Sequence, residues 1–247
     1  MLATDSPERP GAGAPGRLSK ALTRLFMKPA TIVANERLSD RFHLITLEGP
    51  ALAGVAWGPG QKVQIAMGSA FVTRTYTPIE WNASAGRACI LGYAHGEGPG
   101  SDWVRSVAPG DACDVFGPRA SLDLGRLPGP LVVAGDETSI GLAYAATHQD
   151  PARRVSACLE VTDVESVRHV AAHLGLEDMA LFAKSGDEAH LAGMEAALAE
   201  GLATGASFVL TGKAGTIQRL RQSLRVQMPT ARLATKAYWA PGKTGLD

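Results

Sequence analysis

Short apolar runs of β type occupy the first half of the chain and helical stripes the second, with the change of rhythm near Leu127. From Ala30 to about Phe116 the runs are Thr31-Ile32-Val33, Phe42 to Leu47, Val63-Gln64-Ile65, Phe71-Val72-Thr73, Ala88 to Leu91 and Asp114-Val115-Phe116, separated by turn residues. Many short strands without long helices predict a small antiparallel barrel. Beyond Leu127, Leu131 to Ala134 precedes a helical stretch from Thr138 to Thr147, and Val155 to Glu160 precedes Val164 to Leu174. That second helix is expected to open on a capping box at Thr162 and Glu165 and to stop at Gly175. Met179 to Ala183 leads to a helix with Leu191, Met194, Leu198 and Leu202 on one face. Ser207 to Leu210 leads to a stripe of Ile217, Leu220 and Leu224, and a last run reaches Tyr238-Trp239. Five strands alternating with four helices predict a parallel sheet flanked by helices.

The organisation expected from this pattern is a disordered tail over 1–17, a barrel domain over 18–126 and an α/β domain over 127–247. The tail is rich in Pro, Gly and Ala, and a short helix from Leu18 to Phe26 introduces the first strand. Ligands of such a pair belong at the seam and at the carboxyl ends of the parallel strands.

Lysine plus arginine equals aspartate plus glutamate, 24 against 24. No global field therefore steers the chain to nucleic acid, and any anion site must be local. Cys89, Cys113 and Cys158 have neither metal-ligand nor redox-pair spacing and read as small buried hydrophobes in a reducing compartment. No apolar stretch approaches the roughly 20 residues of a membrane span. Asp5 and Glu8 stand where a signal peptide would have a basic start, so the cytoplasm is the expected location.

Three segments carry candidate chemistry. In Arg74-Thr75-Tyr76-Thr77 an arginine can grip a diphosphate, an aromatic ring can stack on a flat cofactor and a hydroxyl can bond a ring heteroatom or ribityl chain. An edge strand with an exposed arginine and a half-buried tyrosine accounts for the same four residues. The segment His95-Gly96-Glu97-Gly98-Pro99-Gly100-Ser101-Asp102-Trp103 joins a strand to a short helix whose start offers N–H groups to phosphate, although Pro99 breaks the dinucleotide glycine spacing and a tight turn explains it equally. Gly135-Asp136-Glu137-Thr138-Ser139 follows the first parallel strand, where a phosphate or nicotinamide loop belongs; its two carboxylates are expected to cap the helix rather than face phosphate.

Together with Gly117-Pro118-Arg119, Phe208 to Ala214 and Lys236-Ala237-Tyr238-Trp239, these segments, in this order, resemble the siderophore-interacting proteins, a flavin-dependent ferric-siderophore reductase family of the ferredoxin-reductase-like superfamily. The resemblance runs from about Ala30 to Gly242. It implies FAD on the barrel, with Arg74 on the pyrophosphate, Tyr76 against the isoalloxazine, Thr75 and Thr77 alongside, and the loop of His95, Gly96, Gly98, Pro99, Ser101 and Trp103 completing the phosphate and adenine side. It implies NADH or NADPH on the α/β domain through Gly135, Asp136, Glu137, Thr138, Gly212, Lys213 and Ala214, with Tyr238 and Trp239 shielding the flavin. Lys236 is then expected at the substrate. The mechanism that the resemblance implies is hydride transfer from nicotinamide to flavin followed by single-electron steps to a ferric chelate, with no catalytic side chain and no protein-bound metal expected. The expected assembly is a monomer or weak dimer.

Three of the family's cations are replaced, by Ile79, Asp102 and Ala240, which points to a neutral or cationic chelate or to another acceptor. Lys213 stands where the family has Glu and either suits the 2′-phosphate of NADPH or is an exposed lysine at a helix entry, whereas Glu160 suits the ribose of NADH. His43, His148, His169, His173 and His190 read as surface residues, and Trp57 and Trp81 as packing residues. Two rival functions remain: a ferredoxin- or flavin-reductase-like enzyme with a different acceptor, and a cofactor-free binding module on the same fold.

Overall fold

The computed structural model describes residues 26–67 and 72–243. The tail expected over 1–17, the helix expected from Leu18 apart from its last residue, and Phe71 lie outside the described residues.

Seven strands make the first sheet: β1 (Lys28–Arg37), β2 (Phe42–Glu48), β3 (Lys62–Ala66), β4 (Thr73–Tyr76), β5 (Pro78–Asn82), β6 (Arg87–Tyr93) and β7 (Ala112–Arg119), with helix α1 (Pro99–Ser106) between the last two. All pairings are antiparallel, in the order β4-β3-β7-β1-β2-β6-β5. The two outermost strands, β4 and β5, are separated in sequence by Thr77 alone. One residue spans only about 3.5 Å, so the sheet must roll until its edges meet. The rolled interior is filled by Ile32, Ile45, Leu47, Val63, Ile65, Ile90 and Val115, every one almost fully buried. Two sequence expectations need correction. In the expected run Phe71-Val72-Thr73, Val72 lies outside the strand, which starts at Thr73, and β5 has no counterpart among the expected strands. β5 opens on Pro78, tolerated at the first position of an edge strand, and its Glu80 and Asn82 hide the β pattern.

The second sheet is wholly parallel, in the order β10-β9-β8-β11-β12. It alternates β8 (Leu131–Asp136), α2 (Ile140–Gln149), β9 (Val155–Val161), α3 (Val164–His173), β10 (Met179–Ala183), α4 (His190–Ala203), β11 (Ser207–Lys213), α5 (Ala214–Gln227) and β12 (Leu233–Trp239). Central β8 is buried on both faces, as parallel sheets require. Val132 and Ala134 face α4 and α5 with Met194, Leu198, Leu220 and Leu224. Leu131 and Val133 face α2 and α3 within a core that also takes in Phe42 of β2 and Leu38 of the turn before it. This shared apolar core ties the two sheets together.

The N-cap of α3 is Asp163, whose side chain accepts from the Ser166 N–H at 3.0 Å, and not the expected Thr162. Glu165 instead pairs with Arg168 at 2.7 Å. Among the described residues no helix is long and apolar enough to cross a membrane. All three cysteines are buried free thiols; burial pushes Cys89 up to about 11 and Cys113 and Cys158 to about 12.

Candidate functional site

Where the rolled sheet closes, its seam faces the carboxyl ends of β8 and β12 across a cleft of about 330 Å³. The barrel wall is Lys62, Gln64, Arg74, Thr75, Tyr76, Thr77, Tyr93, His95, Glu97, Gly98, Gly100 and Ser101, without the expected Gly96, Pro99 and Trp103; the opposite wall is Thr138, Gly141, Lys236, Tyr238 and Trp239. Ser121 and Lys243 complete the rim. Across the cleft the Thr77 hydroxyl donates to the Tyr238 hydroxyl at 3.3 Å.

Strand alternation sends Arg74 and Tyr76 to one face of β4 and Thr73 and Thr75 to the other. Tyr76 packs against Trp103 of α1, ring centroids 5.7 Å apart, and its hydroxyl donates to the Gly100 carbonyl at 3.4 Å. Burial pushes the Tyr76 phenol well above its usual range, against the pull of Arg74. The N-cap of α1 is Gly98, whose φ of 141° favours glycine, and no side chain caps this end. Gly98, Gly100 and Ser101 line the cleft beside Arg74. An uncapped helix start and a guanidinium thus share one wall, an arrangement suited to a diphosphate.

On the opposite wall the organising group is Asp136. Its carboxylate accepts from the N–H of Thr138 at 2.9 Å, the N–H of Lys213 at 2.9 Å and the indole N–H of Trp239 at 2.7 Å. Asp136 thus caps the short turn Glu137–Ser139 that leads into α2, Glu137 takes no part in the capping expected of it, and the Asp136 carboxylate also anchors the end of β12. Burial raises the Asp136 carboxyl, with the hydrogen bonds opposing. Gly212, at φ 95°, is needed for this packing, because a Cβ there would lie 2.6 Å from the Asp136 carboxylate. Gly135 is equally closed, 2.1 Å from the Thr211 carbonyl by the same measure, so these two glycines serve strand packing and leave the cleft wall to Thr138. Trp239 in turn stacks on His95 at 5.6 Å and 21°, and His95 on Tyr93 at 6.1 Å. Burial pushes the Tyr238 phenol up to about 12, against hydrogen bonds to Thr77 and Thr211.

Glu137 does not face the cleft. At 2 % exposure it bonds the Tyr93 hydroxyl at 3.1 Å, the Thr162 N–H at 2.6 Å and the Lys184 ammonium at 2.6 Å, joining β6 to the loops after β9 and β10. Burial pulls its carboxyl up, yet the Lys184 hydrogen bond and charge outweigh that and hold it below the usual range. Glu160, expected at a ribose, is 1 % exposed and held by the Thr216 hydroxyl at 2.6 Å and His190 Nε2 at 2.8 Å. Lys213 is paired with Glu188 at 3.1 Å. Two histidines expected at the surface are internal: His190 here, and His43, which is 6 % exposed and bonded to Asn35 at 2.9 Å.

Sequence reading missed Lys62, Gln64 and Tyr93, which strand pairing brings in, Gly141 at the start of α2, and Ser121 and Lys243 on the segments after β7 and β12. Two of the three replaced cations also acquire a structural setting. Ile79 is 3 % exposed and packs on Gly141, where an added Cβ would lie 2.8 Å from its Cγ2, so this position is an apolar contact between β5 and α2. Asp102 is exposed on α1 and pairs with Arg105 at 3.7 Å. Among the described residues the cleft is nevertheless basic, since Lys62, Arg74, Lys236 and Lys243 line it together with one acidic residue, Glu97. Among the described residues no cluster of three or more His, Cys, Asp or Glu side chains is arranged to hold a metal ion.

Residues 64–122 match the family described as Siderophore-interacting FAD-binding domain. No curated protein matches the chain. Among solved structures, a siderophore utilization protein from T. fusca is 20% identical with a TM-score of 0.70, over 90% of this chain and 95% of that one. The siderophore-interacting protein SipS from Aeromonas hydrophila is 23% identical with a TM-score of 0.68, over 88% and 93%. A ferredoxin NADP+ reductase from Neisseria gonorrhoeae, with bound FAD and NADP, is 14% identical with a TM-score of 0.68, over 87% and 99%. At these identities the likeness is one of fold, and the fold is the ferredoxin-reductase-like one expected from the motifs.

Proposed function

We propose that this chain is an FAD-dependent oxidoreductase that takes electrons from NADH or NADPH and passes them to a ferric chelate, with a ferric siderophore as the class of acceptor. The observation that carries the reading is the meeting of Arg74, Tyr76 and the uncapped start of α1 with Tyr238 and Trp239 across one cleft, at the seam closed by Thr77. The family matched by residues 64–122 supports the FAD assignment.

The donor set fits the dinucleotide. Arg74 and the α1 start supply positive charge for its diphosphate, Thr77 and Tyr238 supply hydroxyls beside a flat ring system, and Tyr76, His95 and Trp239 supply aromatic surface. FAD, when bound, supplies two-electron uptake and one-electron release, so the protein need contribute no acid or base. Trp239 and Tyr238 exclude water from the ring, and Asp136 fixes Trp239 in place. Lys62, Lys236 and Lys243 make the mouth attractive to an anionic acceptor, which revises the neutral or cationic preference expected from the replaced cations.

A second reading keeps the flavin and changes the acceptor to another electron carrier, favoured by the likeness to the ferredoxin NADP+ reductase fold. Anaerobic reduction of the FAD-loaded protein by each nicotinamide, followed by reoxidation with anionic, neutral and cationic ferric chelates, separates the two. Rapid reoxidation by anionic chelates supports the first reading. Reduction by nicotinamide without reoxidation by any chelate supports the second.

A further inference from the structure

Away from the cleft, the parallel sheet ends on β10, Met179-Ala180-Leu181-Phe182-Ala183, which pairs with β9 alone among the described residues. An edge strand presents unpaired backbone groups, and proteins blunt such edges with lysine, proline or a bulge. β10 carries none of these. In a parallel ladder alternate residues direct both N–H and C=O to one neighbour. The Ala157 N–H donates to the Asp178 carbonyl and the Lys184 N–H to the Val161 carbonyl, each at 2.9 Å, so the even-numbered residues of this stretch serve β9. Met179, Leu181 and Ala183 therefore direct theirs outward. The Met179 N–H turns back to the Glu177 carbonyl at 3.1 Å, which leaves the Met179 carbonyl and both groups of Leu181 and Ala183 open. Beside this edge runs a groove of about 430 Å³, in which Met179 and Leu181 face Ala171 and Ala172 of α3 and the Gly175 that follows it.

We propose that β10 is the contact of a two-fold dimer, in which a second copy of this chain adds its own β10 antiparallel, centred on Leu181. The edge is complementary to itself in this register. Leu181 exchanges a pair of N–H···O bonds with Leu181 of the second copy, and each Ala183 N–H reaches the facing Met179 carbonyl. Charge agrees with the pairing. Over residues 177–185 the register sets Asp178 opposite Lys184 of the second copy and sets no like charges opposite each other. Both side chains keep their own partners, Arg154 at 3.2 Å and Glu137 at 2.6 Å, so their part is complementarity and not a new ion pair. The Leu181 and Met179 side chains of the two copies then cover the two grooves. A two-fold contact closes both edges at once, whereas a parallel copy would leave a fresh edge and propagate. Five paired residues span about 17 Å, less than a standard interface, so the dimer forms in the micromolar range. β10 is the edge opposite β12, and the cleft stays open in both copies.

The test is sedimentation equilibrium of the full chain from about 1 to 300 µM, where wild type is expected to pass from monomer to dimer and no further. Ala183→Pro removes an outward N–H at an exposed position without touching the bonds to β9, and Leu181→Lys sets like charges on the two-fold axis. Each is expected to raise the dimer Kd at least about tenfold, with the fold checked by circular dichroism. Leu181 is half-buried, so Ala183→Pro decides if Leu181→Lys does not fold. Leu181→Cys reads the register itself. Opposed residues of a hydrogen-bonded pair have Cα atoms about 5.5 Å apart, within disulfide reach, so mild oxidation is expected to link two copies. Ala85→Cys, exposed on the barrel, is expected to link none, and the native cysteines are buried. A wild type that stays monomeric throughout, an Ala183→Pro protein that dimerises as wild type does, or a Leu181→Cys protein that links no more than Ala85→Cys overturns the inference.

Discussion

The indole N–H of Trp239 donates to the Asp136 carboxylate at 2.7 Å, tying the last strand of the parallel sheet to the end of its first. Because the same carboxylate holds the N–H groups of Thr138 and Lys213, one buried side chain sets the positions of three segments at the cleft. Asp136→Ala leaves those donors unpaired and is expected to destabilise the protein by about 3 kcal/mol in urea unfolding. It should also release Trp239, seen as a red shift of its fluorescence, and Asp136→Asn should be milder on both readouts.

The Glu137–Lys184 pair gives a pH dependence whose sign follows from its two shifts. Glu137 titrates below its ordinary value of 4.5, so its contribution is complete above that value and is lost as pH falls through the lowered folded one. Lys184 titrates above 10.5, its hydrogen bond and charge from Glu137 overcoming burial, so its contribution is complete below 10.5 and is lost as pH rises through the raised folded value. Lys184→Met should therefore lower stability most between these limits, by about 3 kcal/mol at neutral pH, because it strands a carboxylate that is 2 % exposed. Tm measured against pH for both proteins should converge at the acid and alkaline ends.

Gly141 lets α2 approach β5, with Ile79 Cγ2 only 2.8 Å from where a Cβ would stand. Gly141→Val is expected to lower stability by about 2 kcal/mol, and Ile79→Ala in the same chain to recover part of it. A double-mutant cycle by denaturant unfolding reads the coupling. Additive losses would mean the two positions do not meet.

The three thiols are buried and pushed up to about 11 or 12, so a disulfide reagent should leave the native protein unmodified and titrate all three after unfolding. Rapid native labelling of Cys113 or Cys158 would contradict the packing of its sheet.

The sequence discloses those parts of the fold in which one element carries its own period. The stripes of Leu191, Met194 and Leu198, and of Ile217, Leu220 and Leu224, are buried faces of α4 and α5, because helical burial repeats locally. β5 escaped notice because its stability comes from pairing with β6 while its composition is Pro, Glu and Asn. The cleft is legible at Arg74, Thr77, Tyr238 and Trp239, where neighbours in sequence share a wall. Lys62 and Tyr93 come from other strands, and only the register brings them in. Histidine burial is likewise invisible locally, since His190 is enclosed by Glu160 from 30 residues away.

Binding of FAD at the wall formed by Arg74 and the start of α1 is the claim on which the remaining chemistry depends. The most direct measurement is the flavin retained by the purified protein after equilibration with FAD and gel filtration, for wild type and Arg74→Gln, each checked for an intact fold by circular dichroism. The account predicts a yellow wild type with one flavin per chain and a Kd raised about 10- to 100-fold in Arg74→Gln, the effect of losing a charged hydrogen-bonding partner. A colourless wild type that takes up no FAD, or an Arg74→Gln protein that holds flavin as tightly as wild type, would contradict it.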